Sequence, residues 1–152
     1  MVVNNQLNIE GAQIGFRNFA GEEGPYNRAG ERSFAVFLDK ELANNLLADG
    51  WNVKFPKERE MEPDQEDTRS PHLQVSVAFN NFPPKVVVIA DGNPTVLGED
   101  DVSMLDWAEI DLVDLVIRPY NWTMNGQTGV KAYLKAIYVT IRTDAFSSKY
   151  GI

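Results

Sequence analysis

The stretch LVDLVIRPYNWTMNGQTGVKAYLKAIYVTIR, residues 112–142, decides how the rest of the chain reads. Val113, Leu115 and Ile117 alternate with Asp114, Val116 and Arg118, a period of two that puts the apolar side chains on one face of a half-buried strand. Ala132, Leu134 and Ala136 alternate in the same way with Lys131, Tyr133 and Lys135. Between the two halves stands Asn125-Gly126, which supplies positive φ at both central positions of a tight hairpin turn. Gly129 relaxes the backbone again before the return strand. The spacing therefore predicts one long hairpin. Its polar face would carry Arg118, Tyr120, Lys131, Tyr133 and Lys135, with Trp122 near the tip. Cations and aromatic rings interleave on one side of that ribbon.

The chain of 152 residues has the length of a single domain, 1–152, with a real core. No apolar run approaches the roughly 20 residues of a membrane span, and the start MVVNNQLNIEG lacks the basic and apolar regions of a signal peptide. There is no cysteine, hence no disulfide framework and no thiolate chemistry. A cytoplasmic protein with no membrane partner is the expectation. The net charge of −8 argues against nucleic acid until it is divided along the chain. Residues 1–57 hold six basic and seven acidic side chains, residues 58–114 three and fourteen, and residues 115–152 five and one. The acidity is local, and the hairpin lies in the one positive segment. The field near a site matters more than the total.

The other segments read outward from the hairpin. In residues 7–17, Leu7 and Ile9 alternate, Gly11 interrupts, and Ile14 and Phe16 resume on the other parity, the pattern of a strand bent at a bulge. Residues 18–31 form a loop rich in Gly, Asn and Pro. Residues 32–38 are a second strand with Phe34, Val36 and Leu38 on one face. Asp39 caps a short helix over 40–49 that Gly50 stops, and 51–55 is a short strand. Residues 57–71 lack apolar periodicity and are expected to be a flexible acidic loop. Leu73, Val75, Val77 and Phe79 make a third strand, 85–90 a fourth apolar run, and 91–94 a turn. Residues 99–107 are a short helix with acids in the first turn. The order predicts a mainly β protein, an OB-fold-like five-stranded Greek-key barrel with one or two short helices and the long hairpin. An immunoglobulin-like sandwich is the rival, but its strands are more numerous and shorter.

Two blocks carry a resemblance to a known family. One is Gly15-Phe16-Arg17-Asn18-Phe19 through Tyr26-Asn27, Gly30, Arg32 and Phe34. The other is Ile117-Arg118-Pro119-Tyr120-Asn121-Trp122 with Asn125-Gly126 and Gly129-Val130-Lys131-Ala132-Tyr133-Leu134. Together they resemble the phage-encoded single-stranded DNA-binding proteins of OB-fold type. The resemblance implies a protein that coats single strands during replication or recombination in a bacterial host, with replication or recombination proteins as further partners. Many such proteins end in an acidic tail with a terminal aromatic. This sequence ends Ser147-Ser148-Lys149-Tyr150-Gly151-Ile152, so any recruitment role would fall to the loop 57–71 or be absent. The oligomeric state stays open, a homodimer included.

A single-strand binder needs rings on which bases stack and cations that follow phosphates. The candidates for stacking are Phe19, Tyr26, Trp51, Tyr120, Trp122 and Tyr133. Those for phosphates are Arg17, Arg32, Lys54, Arg118, Lys131 and Lys135. An isolated Phe19 or Trp51 is more often a core ring, and strands favour Tyr by propensity alone. Tyr120, Trp122 and Tyr133 stand out because they lie opposite an apolar face with cations between them. The acids Asp100, Asp101, Asp106, Glu109, Asp111 and Asp114 could hold Mg²⁺ in a nuclease, but read better as a solvated face. His72 is the only histidine and has no partners for zinc or nucleophile beside it. No phosphate loop is present: Gly21 and Gly24 are followed by neither a helix nor Lys-Ser/Thr. The sequence calls for no cofactor and no catalysis. Two functions remain: a non-catalytic single-stranded DNA-binding protein, or a protein-interaction module on the same barrel, such as an inhibitor, an assembly factor or an acidic DNA mimic.

Overall fold

The long hairpin is the backbone of the structure. In the computed structural model, which describes residues 5–25, 27–57, 69–80 and 82–142, β8 (Ile110–Met124) and β9 (Gln127–Ile141) pair antiparallel along their whole length. Asn125 and Gly126 turn the chain with φ of 53° and 78°, as the type I′ turn requires. Val113, Leu115 and Ile117 of β8 are buried, as are Val130, Ala132 and Leu134 of β9. At Lys135 the expected alternation stops. Val116 stands opposite Ala136 and Ile117 opposite Leu134, so Lys135 is the extra residue of a bulge. Parity flips there, and Ile137 and Val139, instead of Ala136, continue the buried face.

The remaining strands assemble on this ribbon. β1 (Leu7–Ile9) lies against β8, while β2 (Gln13–Asn18) pairs with β3 (Arg32–Phe37). β3 pairs with β5 (His72–Val77), and β5 runs parallel to β9 at Val75–Ala132 and Ser76–Tyr133. The strand order is β1-β8-β9-β5-β3-β2. Its two ends, β1 and β2, are consecutive in the chain, separated by the bend at Gly11 (φ 59°). The Ala12 N–H reaches the Val113 carbonyl at 2.8 Å. The sheet thus curls until both ends share one chain segment, with the parallel contact between its third and last principal strands. That is an OB-fold-like scaffold. The strand count differs from the expected five, because the bent first strand counts as two and three short strands are added. These are β4 (Val53–Lys54) on β5, and the hairpin of β6 (Lys85–Ala90) and β7 (Asn93–Leu97), whose β6 runs parallel to the far half of β9. The expected turn at Asp91-Gly92 is present, with φ of 52° and 77°. The strand after it, which contains Pro94, was not legible. Pro94 is tolerated because β7 pairs only with β6.

The helix α1 (Lys40–Asp49) begins and ends where its caps place it. The Asp39 carboxylate accepts from Leu42 N at 2.7 Å. Gly50 is left-handed (φ 106°), and the N–H groups of Gly50 and Trp51 return to Leu47 and Leu46 at 3.1 and 3.0 Å. This double bond pattern brings the residue after the glycine back onto the helix. Trp51 is accordingly buried. The acidic segment before β8 forms a 3-10 helix, Val102–Asp106, that buries Val102 and Leu105. The core unites Phe34 and Val36 of β3, Leu73 and Val75 of β5 and the inner face of the hairpin. Each such side chain contributes about 1.5–3 kcal/mol on burial. Tyr26 and most of the predicted loop 57–71 lie outside the described residues.

Candidate nucleic-acid interface

Residues opposite each other in neighbouring strands share a face, and the registers therefore trace the outer surface directly. Asn18 stands opposite Ser33, Ser33 opposite Ser76, Ser76 beside Tyr133, and Tyr133 opposite Arg118. One row of polar side chains thus crosses five strands and arrives at the cations of the hairpin. The next pairs toward the tip are Tyr120 with Lys131 and Trp122 with Gly129. Beyond Ala132, among the described residues, the paired partners of the ribbon are its own two strands. A groove of about 420 Å³ on this surface is lined by Ser33, Gln74 and Ser76 together with Trp122, Lys131 and Tyr133. Asn27, Gly30 and Glu31, from the loop between β2 and β3, line it as well.

Tyr133 organises the cations. The Arg118 guanidinium lies 4.7 Å from its ring centroid and the Lys131 ammonium 5.1 Å. Arg118 also lies 5.6 Å from the Phe82 ring, so it is held between two aromatic rings. Such contacts cost little in water and fix a long side chain before a ligand arrives. Tyr120 meets Tyr133 edge-on at 5.9 Å and remains half exposed. Trp122 is 38 % exposed, with its indole laid across Gly129. A Cβ at Gly129 would come within 2.5 Å of the indole Cζ2, so only glycine permits that pose. The exposed part of the ring borders the groove, where a base could stack on it.

The remaining expected site residues separate into two sets. Lys54 of β4 is exposed and stands opposite His72 of β5, on the outer surface. Lys135 is exposed at the bulge. Two others, Phe19 and Trp51, are corrections, and two, Arg17 and Arg32, have partners within the fold. Phe19 is 0 % exposed and stacks on Phe34 at 5.2 Å. Its N–H and that of Ala20 bond the two Asp106 carboxylate oxygens at 2.7 and 3.0 Å. Trp51 is 3 % exposed beneath the end of α1. Neither ring offers a face to a base. Arg17 donates to the carbonyls of Leu105 and Ala108 at 2.7 and 2.9 Å and so ties β2 to the 3-10 helix. Arg32 donates to the Phe19 carbonyl at 2.9 Å, packs over Phe79 and stands 3.9 Å from Glu99. Both arginines are engaged within the fold, and Arg32 also lines the groove. The acidic residues are similarly employed: Asp114 accepts from Gly11 N at 2.9 Å, and Asp111 pairs with Arg142 at 2.9 Å.

Two groups on this surface escaped sequence reasoning. Phe82 is 71 % exposed beside Arg118. Its position just before Pro83-Pro84, outside any strand, was the available signal. The alternation puts Phe16 on the same face as Ile14. Instead the register slips between Gly15 and Asn18, and Phe16 takes φ 47° with 74 % of its surface exposed.

An OB-like scaffold with rings and cations along its strand face and loops has the form of an oligonucleotide-binding protein. The whole chain, residues 1–152, matches the family described as "Putative phage ssDNA-binding domain", and it belongs to that family. Among solved structures it is similar to the single-stranded DNA-binding protein from bacteriophage Enc34 in complex with ssDNA. The TM-score is 0.57 at 10 % identity, over 93 % of this chain and 89 % of that one. The same phage protein without DNA gives 0.53 at 10 %, over 97 % and 90 %, and its C-terminal truncation 0.53 at 10 %, over 91 % and 87 %. At this identity the likeness speaks for the fold. No curated protein matches the chain. Among the described residues no helix is long and apolar enough to cross a membrane.

Proposed function

We propose that this single-stranded DNA-binding protein is non-catalytic and coats and protects single strands during phage DNA replication or recombination in the host cytoplasm, with proteins of those processes as its further partners. The observation that carries the reading is the continuous outer row from Asn18 to Arg118, ending in cations already ordered on Tyr133. Arg118 and Lys131 take phosphates. Tyr120, Trp122 and Phe82 offer exposed ring surface to bases. Stacking is tolerant of sequence because every base has a π-face. The rival acidic DNA mimic is disfavoured, since Asp106, Asp111 and Asp114 are occupied in fastening the fold.

The test is binding of a labelled oligo-dT across a salt series. Three phosphate contacts, by Arg118, Lys131 and Lys54, give a slope of log K against log salt near about −2, at roughly −0.7 per contact for single strands. The oligonucleotide should also be recovered intact after incubation with Mg²⁺. Absence of binding at low salt would refute the reading, and cleavage would refute its non-catalytic part.

A further inference from the structure

A second cluster of rings sits on the same outer surface at the other end. Phe16, Phe37 and His72, from β2, β3 and β5, meet with centroids 5.7 to 6.2 Å apart. Phe37 stands opposite His72, and Lys54 stands opposite His72 on the other side, so three strands align these side chains in one row. The row lies four residues along β5 from Ser76, the neighbour of Tyr133.

Two features show that the cluster is built outward. Phe16 holds a left-handed backbone (φ 47°), a conformation unfavourable to a non-glycine residue. Core packing does not offset that cost, because the side chain is 74 % exposed. Phe37 in turn lies over Gly15, where a Cβ would fall 2.5 Å from the ring edge. This repeats the arrangement of Trp122 on Gly129. At both ends of the face, a glycine in the neighbouring strand lets a ring approach the backbone closely. Beside Phe16 is a hollow of about 420 Å³ bordered by Asn18, Ser33, Ala35, His72 and Gln74. It shares Ser33 and Gln74 with the groove at the hairpin. His72 also has its pKa lowered, by burial and then by Lys54, which favours a neutral ring at neutral pH.

Resting on the single-strand-binding reading, we propose that Phe16, Phe37 and His72 form a second base-stacking station, with Lys54 as its phosphate contact, so that one DNA strand runs diagonally from the hairpin across β9, β5 and β3 to β2. Strands are about 4.8 Å apart and rise about 3.3 Å per residue. Three strand steps and four residues separate Tyr133 from Phe16, about 20 Å. A strand must therefore span several nucleotides to occupy both stations, within the range of about 4–16 nucleotides known for one OB-type domain.

The experiment compares wild type with Phe16→Asn on an oligo-dT length series at low salt. Asn tolerates the left-handed backbone, and the exposed site leaves the melting temperature unchanged. For oligonucleotides of about 12 nucleotides or more, the variant should bind roughly 5- to 150-fold more weakly, the effect of one lost base–ring contact. For oligonucleotides too short to bridge both stations, the two proteins should bind alike. In parallel, photo-crosslinking of long 5-iododeoxyuridine strands to wild-type protein should mark Phe16, Phe37 or His72 as well as the hairpin. Equal affinity at every length, equal loss at every length, or crosslinks confined to the hairpin would overturn the second station while leaving the hairpin site intact. Failure of wild type to bind any oligonucleotide would instead overturn the function on which it rests.

Discussion

Replacing Trp122 with alanine tests the hairpin end of the interface most directly. The indole is 38 % exposed and rests on Gly129. A base stacked on its open face is worth about 1–3 kcal/mol, so Trp122→Ala should raise Kd roughly 5- to 150-fold. No phosphate contact is removed, and the salt slope should stay as in wild type. The structure also sets the stability cost. About three-fifths of an indole of roughly 250 Å² is covered, about 150 Å², which at about 25 cal/mol per Å² gives an upper bound near 4 kcal/mol. That loss is local. Residues 119–131 pair only across the hairpin, so the tip loosens while the sheet holds. Amide exchange should accelerate over residues 121–130, with a small change in melting temperature. Gly129→Ala supplies a second perturbation: it keeps the indole but drives a Cβ to 2.5 Å from it, displacing the ring. Anisotropy with labelled oligo-dT gives both affinities, and quenching of tryptophan fluorescence on adding poly-dT should be largely lost in Trp122→Ala. Wild-type affinity in folded Trp122→Ala would refute the reasoning, because then the exposed indole serves only the hairpin.

Lys131→Glu should weaken binding and reduce the salt slope by about 0.7, the signature of one lost phosphate contact on a single strand, whereas Lys135→Glu, displaced by the bulge, should do less; a salt titration of both decides. Phe19→Ala should cost about 3–5 kcal/mol in a denaturant melt by emptying the space against Phe34, while affinity per folded molecule stays at the wild-type value. His72 has a lowered pKa in the fold, so the unfolded chain binds its proton first as pH falls. Its contribution therefore erodes stability as pH drops below the unfolded value of about 6.5. The urea midpoint of wild type should decline between pH 7.5 and 5 more steeply than that of His72→Gln, and parallel curves would exclude the histidine as the cause.

The sequence by itself determined whatever depends on near neighbours. Alternation in residues 112–118 and 130–134 placed the buried face of the hairpin, and Asn125-Gly126 placed its turn. Asp39 and Gly50 bounded the helix, because capping and turn geometry are satisfied within a few residues. Tyr120, Trp122 and Tyr133 were legible for the same reason: their face follows from the parity of their own strand. Tertiary structure alone decided where parity breaks and which polar groups are already engaged. Phe16 parts from the face of Ile14 and Lys135 shifts the register because the partner strands fix the surrounding pairs. Phe19 and Trp51 are rings in polar surroundings along the chain, yet Asp106, Phe34 and the returning end of α1 enclose them. Arg17 and Arg32 carry the same charge as Arg118, but they spend it on backbone carbonyls 13 to 91 residues away. Composition counts a guanidinium or a ring once; whether its surface is free for a nucleotide depends on segments that only the folded sheet brings beside it.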